Sequence, residues 1–258
     1  MTKIHTETFG QGKSIVLVHG WAMHSGLLRL FANELSQYFQ VTLVDLPGHG
    51  RSQVISPFTL DTVIPALVEA ITETDEPSCW LGWSLGATFV LEIAQRYPEK
   101  VNRLILLAGT PCFVKRDSWG GMDEQVLENF ATSLQQDTQG TLLRFLALQI
   151  KGLDEQKSAL QKIISLVSEY PAPDQKTIQE GLAILKHTDL RVDFAELNLP
   201  VSVILGQLDT LVPAVSGEKM QALLPEVDLH LIARAGHVPF LSHQEAVVQA
   251  VRAFMDKQ

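Results

Sequence analysis

The chain reads as an α/β fold: a mostly parallel sheet flanked by helices, with a helical cap inserted over one sheet edge. Three observations predict it. Short apolar runs alternate with longer helical patterns along most of the 258 residues, as strands joined by crossover helices do. The runs are continuously apolar, as expected of strands buried on both faces. Between about residues 111 and 190 the alternation gives way to a helical, strand-poor stretch and then resumes.

Taken in order, the apolar runs at 14–19 (SIVLVH), 41–45 (VTLVD), 78–82 (SCWLG), 104–108 (LILLA), 201–206 (VSVILG) and 227–232 (VDLHLI) read as strands, too short and too continuous for helices. Helical patterns occupy 27–38, 60–72, 87–97, 215–224 and 246–255. The opening MTKIHTETFGQGK is polar and leads straight into the first of these strands. Residues 1–110 and 191–258 are therefore expected to form the core and 111–190 the cap. In doubly wound sheets ligands bind beyond the carboxyl ends of the strands, so a cap at that edge covers the site.

Composition limits the partners. With 29 acidic against 20 basic residues the formal net charge is −9, and a negative body repels nucleic acid and anionic membranes. The two cysteines, Cys79 and Cys112, lack metal-ligand spacing, and Cys79 reads as a small buried hydrophobe. No apolar run reaches the ~20 residues that span a bilayer, and the amino terminus lacks a signal peptide's apolar region. The expectation is a soluble cytoplasmic monomer with no metal and no cofactor.

Gly82-Trp83-Ser84-Leu85-Gly86 follows a strand and opens a helix. A sharp strand-to-helix turn strains its central residue and needs small neighbours two positions away on either side, a need that Gly82 and Gly86 meet. The turn lifts the Ser84 hydroxyl clear of the sheet and aims the Leu85 N–H, at a helix amino terminus, toward the same point. A serine hydroxyl is a weak nucleophile at neutral pH, so the reading requires an imidazole base and an acid to orient it. Asp209 follows the strand at 201–206 and His237 follows the last strand, which is the order Ser, acid, His of α/β-hydrolases. Asp45 and His19 also end strands but precede the serine. Asp45, His49 and Ser52 read as turn structure, and His19 as shaping a loop whose Trp21 N–H is a second oxyanion donor. His5, His24, His187, His230 and His243 lack the required position and read as exposed or packing residues. At the end of the strand 104–108, where some relatives keep their acid, Thr110 is not acidic, leaving that role to Asp209.

On these motifs the chain resembles the α/β-hydrolase superfamily over its full length. More narrowly, VHGW, SQYF before VTLVD, VDLPGHGRS, WLGWSLG, RFLALQ, GLAILKHTDLR and GHVPFLSH look like the family of pimeloyl-acyl-carrier-protein methyl ester esterases of biotin synthesis. The resemblance implies Ser84 as nucleophile, His237 as general base and acid, Asp209 as orienting carboxylate, and the N–H groups of Trp21 and Leu85 as oxyanion donors. It implies that Phe145, Leu146, Ala147, Leu148 and Gln149 line an acyl channel; without it, this stripe reads as core packing. It also implies acyl-carrier protein bearing the pimeloyl methyl ester as partner. An acidic carrier needs a basic docking face, for which Lys115, Arg116, Arg144, Lys151, Lys157 and Lys162 are candidates, Arg144 foremost; a solvated charged surface is the plainer reading. The triad alone leaves open a broad short-chain carboxylesterase, a thioesterase, a carbon–carbon hydrolase, or a hydrolase-fold ligand receptor.

Overall fold

In the computed structural model the described residues are 3–71, 76–149 and 156–257. Among them, seven strands form one sheet: β1 (Thr6–Phe9), β2 (Ser14–Val18), β3 (Gln40–Val44), β4 (Ser78–Trp83), β5 (Val101–Leu107), β6 (Val201–Gly206) and β7 (Asp228–Ile232). Their order is β1-β3-β2-β4-β5-β6-β7, with β1 antiparallel to β3 and the remaining pairings parallel. From β2 the chain steps outward to β3, then returns to β4 and proceeds in the opposite direction. The β2/β4 boundary is thus a topological switch point, where crossover connections leave a crevice at the strand ends.

The longer core helices lie where the apolar periodicity puts them, whereas the short helices Arg191–Ala195 and Pro239–Ser242 carry no such periodicity. A short 3₁₀ turn (Ser25–Leu28) leads into α1 (Arg29–Leu35), which packs with α10 (Pro239–Ser242) and α11 (Gln244–Asp256) on one face. The other face is covered by α2 (Leu60–Ile71), α3 (Leu85–Arg96), α8 (Arg191–Ala195) and α9 (Val215–Leu223). Ile15, Leu17, Leu81, Ile105 and Ile204 face the first layer and Val16, Val18, Trp80, Leu104 and Val203 the second, all at most 1 % exposed. This two-sided burial is why these strands carry unbroken apolar runs.

Strand β1 departs from expectation. The polar opening segment contains a strand whose TETF sequence is half-buried and meets only β3, so it bears no apolar run. Its Glu7 holds Arg29 in a two-pronged pair at 2.6 Å and also reaches Arg51.

Between β5 and β6, ahead of α8, lie α4 (Glu124–Gln136), α5 (Thr138–Gln149), α6 (Gln156–Val167) and α7 (Gln175–His187). The two ends of this interval are tied together, with Cys112 bridging Asp189 and the Leu190 N–H donating to the Pro111 carbonyl at 2.8 Å. Asp123 and Asp174 cap α4 and α7 by accepting first-turn N–H groups, removing donors that a helix start leaves unpaired. No helix among the described residues is long and apolar enough to cross a membrane.

Candidate active site

Ser84 sits between β4 and α3 at φ 55° and ψ −116°, a strained conformation for a residue with a side chain. The strain is imposed by crowding. A β-carbon on Gly82 would lie 2.3 Å from the Gly86 carbonyl oxygen, and one on Gly86 would lie 2.3 Å from the Val18 carbonyl oxygen of neighbouring β2. Neither backbone can yield, so both positions require glycine.

Two partners converge on the serine from loops after later strands. His237 Nε2 is 2.9 Å from Ser84 Oγ and His237 Nδ1 is 2.7 Å from Asp209 Oδ2. An ionised carboxylate only accepts, so Nδ1 carries the proton and the Nε2 lone pair faces the hydroxyl. The other oxygen of Asp209 accepts the N–H groups of Leu211 at 2.8 Å and Val212 at 3.0 Å, fixing the carboxylate plane. The three residues are 7 %, 5 % and 1 % exposed, so little water competes for these bonds. Such a series polarises a hydroxyl for attack and gives the displaced proton a destination.

The β2 end lies against this group. A β-carbon on Gly20 would be 3.3 Å from the Ser84 β-carbon, so the Gly20–Trp21 backbone passes beside the serine. His19 shapes that passage: its Nε2 accepts the Leu46 N–H at 2.9 Å, leaving Nδ1–H to donate to the Gly20 carbonyl at 2.9 Å. Burial drives its imidazole far below the usual histidine range. His49, whose ring lies 5.2 Å from that of His19, donates to the Pro47 carbonyl and is lowered to about 4, again chiefly by burial. Burial alone would raise the Asp45 carboxyl, but the His19 ring and the N–H donors of Ser25 and Arg51 outweigh it and hold it below the carboxylate range. Ser52 accepts the His5 N–H and donates to the Asp45 carbonyl. Asp45, His49 and Ser52 are thus bound into the β3 turn and do not reach Ser84, while Thr110 donates to the nearby Cys112 carbonyl.

Helices α4, α5 and α7 close over Trp21. Its indole N–H donates to the Ile178 carbonyl of α7 at 2.8 Å, and its ring meets Phe145 at 5.0 Å and Phe130 at 5.5 Å, both near edge-on. The RFLALQ stretch divides. Leu146 and Gln149 are buried and Phe145 half-buried, whereas Ala147 and Leu148 are exposed. Successive residues on an α-helix turn by about 100°, so Ala147 and Leu148 lie on a different face of α5 from Leu146 and Gln149. Gln149 is fully buried, and neither of its amide atoms has a partner among the described residues.

Of the basic candidates, Arg144 is exposed, bonded to Thr141 at 2.8 Å and 4.0 Å from Asp137. Arg116 is committed to Glu124 and the Lys186 carbonyl, while Lys115 and Lys162 are exposed. Lys151 and the side chain of Lys157 lie outside the described residues. Periodicity gave no warning of Trp83, whose indole bonds the His237 carbonyl, nor of His24, which donates to the Val167 carbonyl at the end of α6 and stacks edge-on against Tyr170. Among the described residues no three His, Cys, Asp or Glu side chains cluster as metal ligands.

The sequence pattern of the alpha/beta hydrolase fold family matches residues 13–244. The chain is 40 % identical over 249 residues to a pimeloyl-[acyl-carrier protein] methyl ester esterase of Methylococcus capsulatus, covering 96 % of this chain and 97 % of that one. It is 38 % identical over 254 residues to the protein of the same name from Nitrosomonas europaea, covering 98 % and 100 %. Among solved structures, an esterase from Exiguobacterium antarcticum superposes with a TM-score of 0.90 at 23 % identity, covering 99 % of this chain and 96 % of that one. A bromoperoxidase from Bacillus anthracis gives 0.89 at 21 %, covering 99 % and 96 %. Both establish the likeness of fold.

Two outcomes follow from the geometry. Gly86→Ala forces a β-carbon into the Val18 carbonyl, so its thermal midpoint should fall by many degrees; an unchanged midpoint would overturn the crowding argument. Because His49 and His19 are neutral when folded but take up protons near pH 6.5 when unfolded, their contribution is complete above about pH 6.5 and is lost as pH falls toward 4, at up to about 1.4 kcal/mol per pH unit for each. Urea midpoints should drop between pH 7 and 4.5, and equal midpoints across that window would contradict the assignment.

Proposed function

The chain belongs to the α/β-hydrolase family, and from that membership we propose that it is a serine carboxylesterase that hydrolyses the methyl ester of pimeloyl-acyl-carrier protein, as the names of its relatives describe. The observation that carries this reading is the bonded series Ser84–His237–Asp209, with 2.9 Å and 2.7 Å links at the carboxyl ends of β4, β7 and β6. The Ser84 oxygen attacks the ester carbonyl as its proton passes to His237 Nε2. The tetrahedral oxyanion is held by the backbone N–H groups of Trp21 and Leu85, each worth about 2.7–4 kcal/mol of barrier. Asp209 stabilises the imidazolium, which then protonates the departing methoxide to methanol. Water, deprotonated by His237, cleaves the acyl-enzyme to the free carboxylate and restores the serine.

The acyl chain lies against Phe145 and Leu146, with Gln149 as the polar element of the lining. A fully buried amide without protein partners is costly, and a carbonyl on the chain gives its N–H₂ an acceptor. Arg144 belongs to the docking face for the acidic carrier, beside the exposed Leu143 and Leu148 of the same helix. Exposed charges beyond about 8 Å are largely screened at physiological salt, so the negative net charge does not forbid this contact.

Rescue of a biotin auxotroph lacking its own methyl ester esterase tests the pathway, and failure of the folded, expressed protein to rescue would remove it. Ser84→Ala should abolish fluorophosphonate labelling, and mapping of the adduct to another serine would reject the nucleophile. Asp209→Asn should stay folded and lose ~10³- to 10⁴-fold in kcat, because the imidazole loses the partner that sets its tautomer. Arg144→Glu should lower kcat/KM for the carrier-bound ester, most at low salt, and leave a small free ester near the wild-type rate. Equal losses on both substrates would assign Arg144 to the fold instead.

A further inference from the structure

We infer that Trp83 is a positioning residue for the reaction, registering the backbone of His237 against the nucleophile through its indole N–H. This deepens the catalytic reading above and rests on it. Trp83 closes β4 and is joined by one peptide bond to Ser84, while His237 is 153 positions further along the chain from that serine, in the irregular stretch between β7 and α10. The backbone tie of that stretch to the loop after β6 lies two residues before the histidine, where the Leu208 N–H donates to the Ala235 carbonyl at 2.8 Å. The indole Nε1–H donates to the His237 carbonyl at 2.9 Å.

The indole itself has little freedom. Trp83 is 1 % exposed, its ring meets Phe240 edge-on at 5.0 Å, and a β-carbon on Gly20 would touch it at 3.2 Å. Phe240 in turn packs against Phe31 of α1 at 6.0 Å. The donor is therefore wedged between the oxyanion loop and α10, which α1 backs through Phe31. Two links then span the same short distance: Ser84 Oγ to His237 Nε2 through side chains, and Ser84 through Trp83 to the His237 carbonyl through a rigid ring.

The chemistry calls for this arrangement. His237 must accept a proton from one oxygen and give it to another, so the imidazole needs small freedom at its tip and little at its base. A phenylalanine would keep an aromatic ring in the space but is smaller than tryptophan and has no N–H, so the buried carbonyl would lose its donor. Misplacing a reacting group by about 1 Å can cost on the order of a hundredfold in rate.

The test replaces Trp83 with β-(3-benzothienyl)alanine, an isostere in which sulfur stands for the indole N–H, and separately makes Trp83→Phe. Both should lose about tenfold or more in kcat on a small methyl ester with KM nearly unchanged. Fluorophosphonate labelling of Ser84 should slow in parallel, and the low-field proton resonance of the His237 Nδ1–H should broaden. The isostere should keep its thermal midpoint within a few degrees of wild type. An isostere with wild-type kcat, labelling rate and pH–rate profile overturns the inference, whatever happens to the midpoint. His237→Ala and Ser84→Ala run alongside. If they retain activity, the catalytic reading itself fails; if they are inactive while the isostere is unimpaired, only the role of Trp83 falls.

Discussion

The molecule is organised around one reversal of direction, the passage from β4 to α3 through Ser84. The strand runs through the middle of the sheet, and the helix must leave it at once, packed against the same sheet it has just left. With β2 on one side and β5 on the other, there is no lateral room. The crossing is possible because the backbone at 82 and 86 carries no side chain and the residue between them accepts a positive φ. Once made, it presents a hydroxyl above the sheet at the start of a helix, where partial positive charge accumulates. The later strands are then obliged to deliver their loops to the same edge, because parallel strands all end on one side. Asp209 and His237 reach Ser84 from β6 and β7 for that reason.

Buried polar groups around the β2 and β3 ends hold this edge in shape. Asp45 has no catalytic partner, yet it is nearly inaccessible and accepts N–H groups from the Ser25 and Arg51 segments. His19 stands between two backbone groups, the Leu46 N–H and the Gly20 carbonyl. Each would be destabilising if unpaired, and each is paired chiefly with backbone groups, Asp45 also meeting Arg51 Nε at 3.4 Å, so the loops beside Ser84 are specified by buried bonds. Ionisable side chains at strand ends are thus divided into those that set loop geometry and those that meet the serine, and position along the chain separates the two.

Much of this was legible in the linear sequence, for a definite reason. Strands buried on both faces need continuous apolar residues, so the five inner strands announce themselves; β7 is an edge strand and largely half-exposed, yet its leucines and isoleucine still mark it, and the residues past these carboxyl ends can be named. Ser84, Asp209 and His237 are three such residues. Strand β1 was not legible because its TETF sequence is half-exposed and its reason for being a strand is the free edge of β3. The RFLALQ segment was legible as a unit but not face by face: resemblance supplies a contiguous stretch, whereas a helix exposes Ala147 and Leu148 while burying Leu146 and Gln149. Trp83 was invisible as a partner of His237, since an indole bonded to a carbonyl more than 150 residues away leaves no trace in spacing.

The bond from Trp21 to Ile178 has a consequence for how such a protein can change. Trp21 belongs to the loop at the end of β2, yet its ring is seated in α4, α5 and α7, and α7 makes room for it with a glycine: a β-carbon at Gly181 would lie 3.0 Å from the indole. Glycine within a helix costs about 1 kcal/mol relative to alanine, so that residue is explained by its neighbour and not by its helix. The upper helices and the sheet below are therefore not interchangeable cassettes. Helices transplanted from another hydrolase would have to present a carbonyl and a glycine at these positions, or the loop at the end of β2 would have to be re-evolved with them. New substrate ranges are more accessible through single replacements on the inner faces of the existing helices than through exchange of those helices as a module.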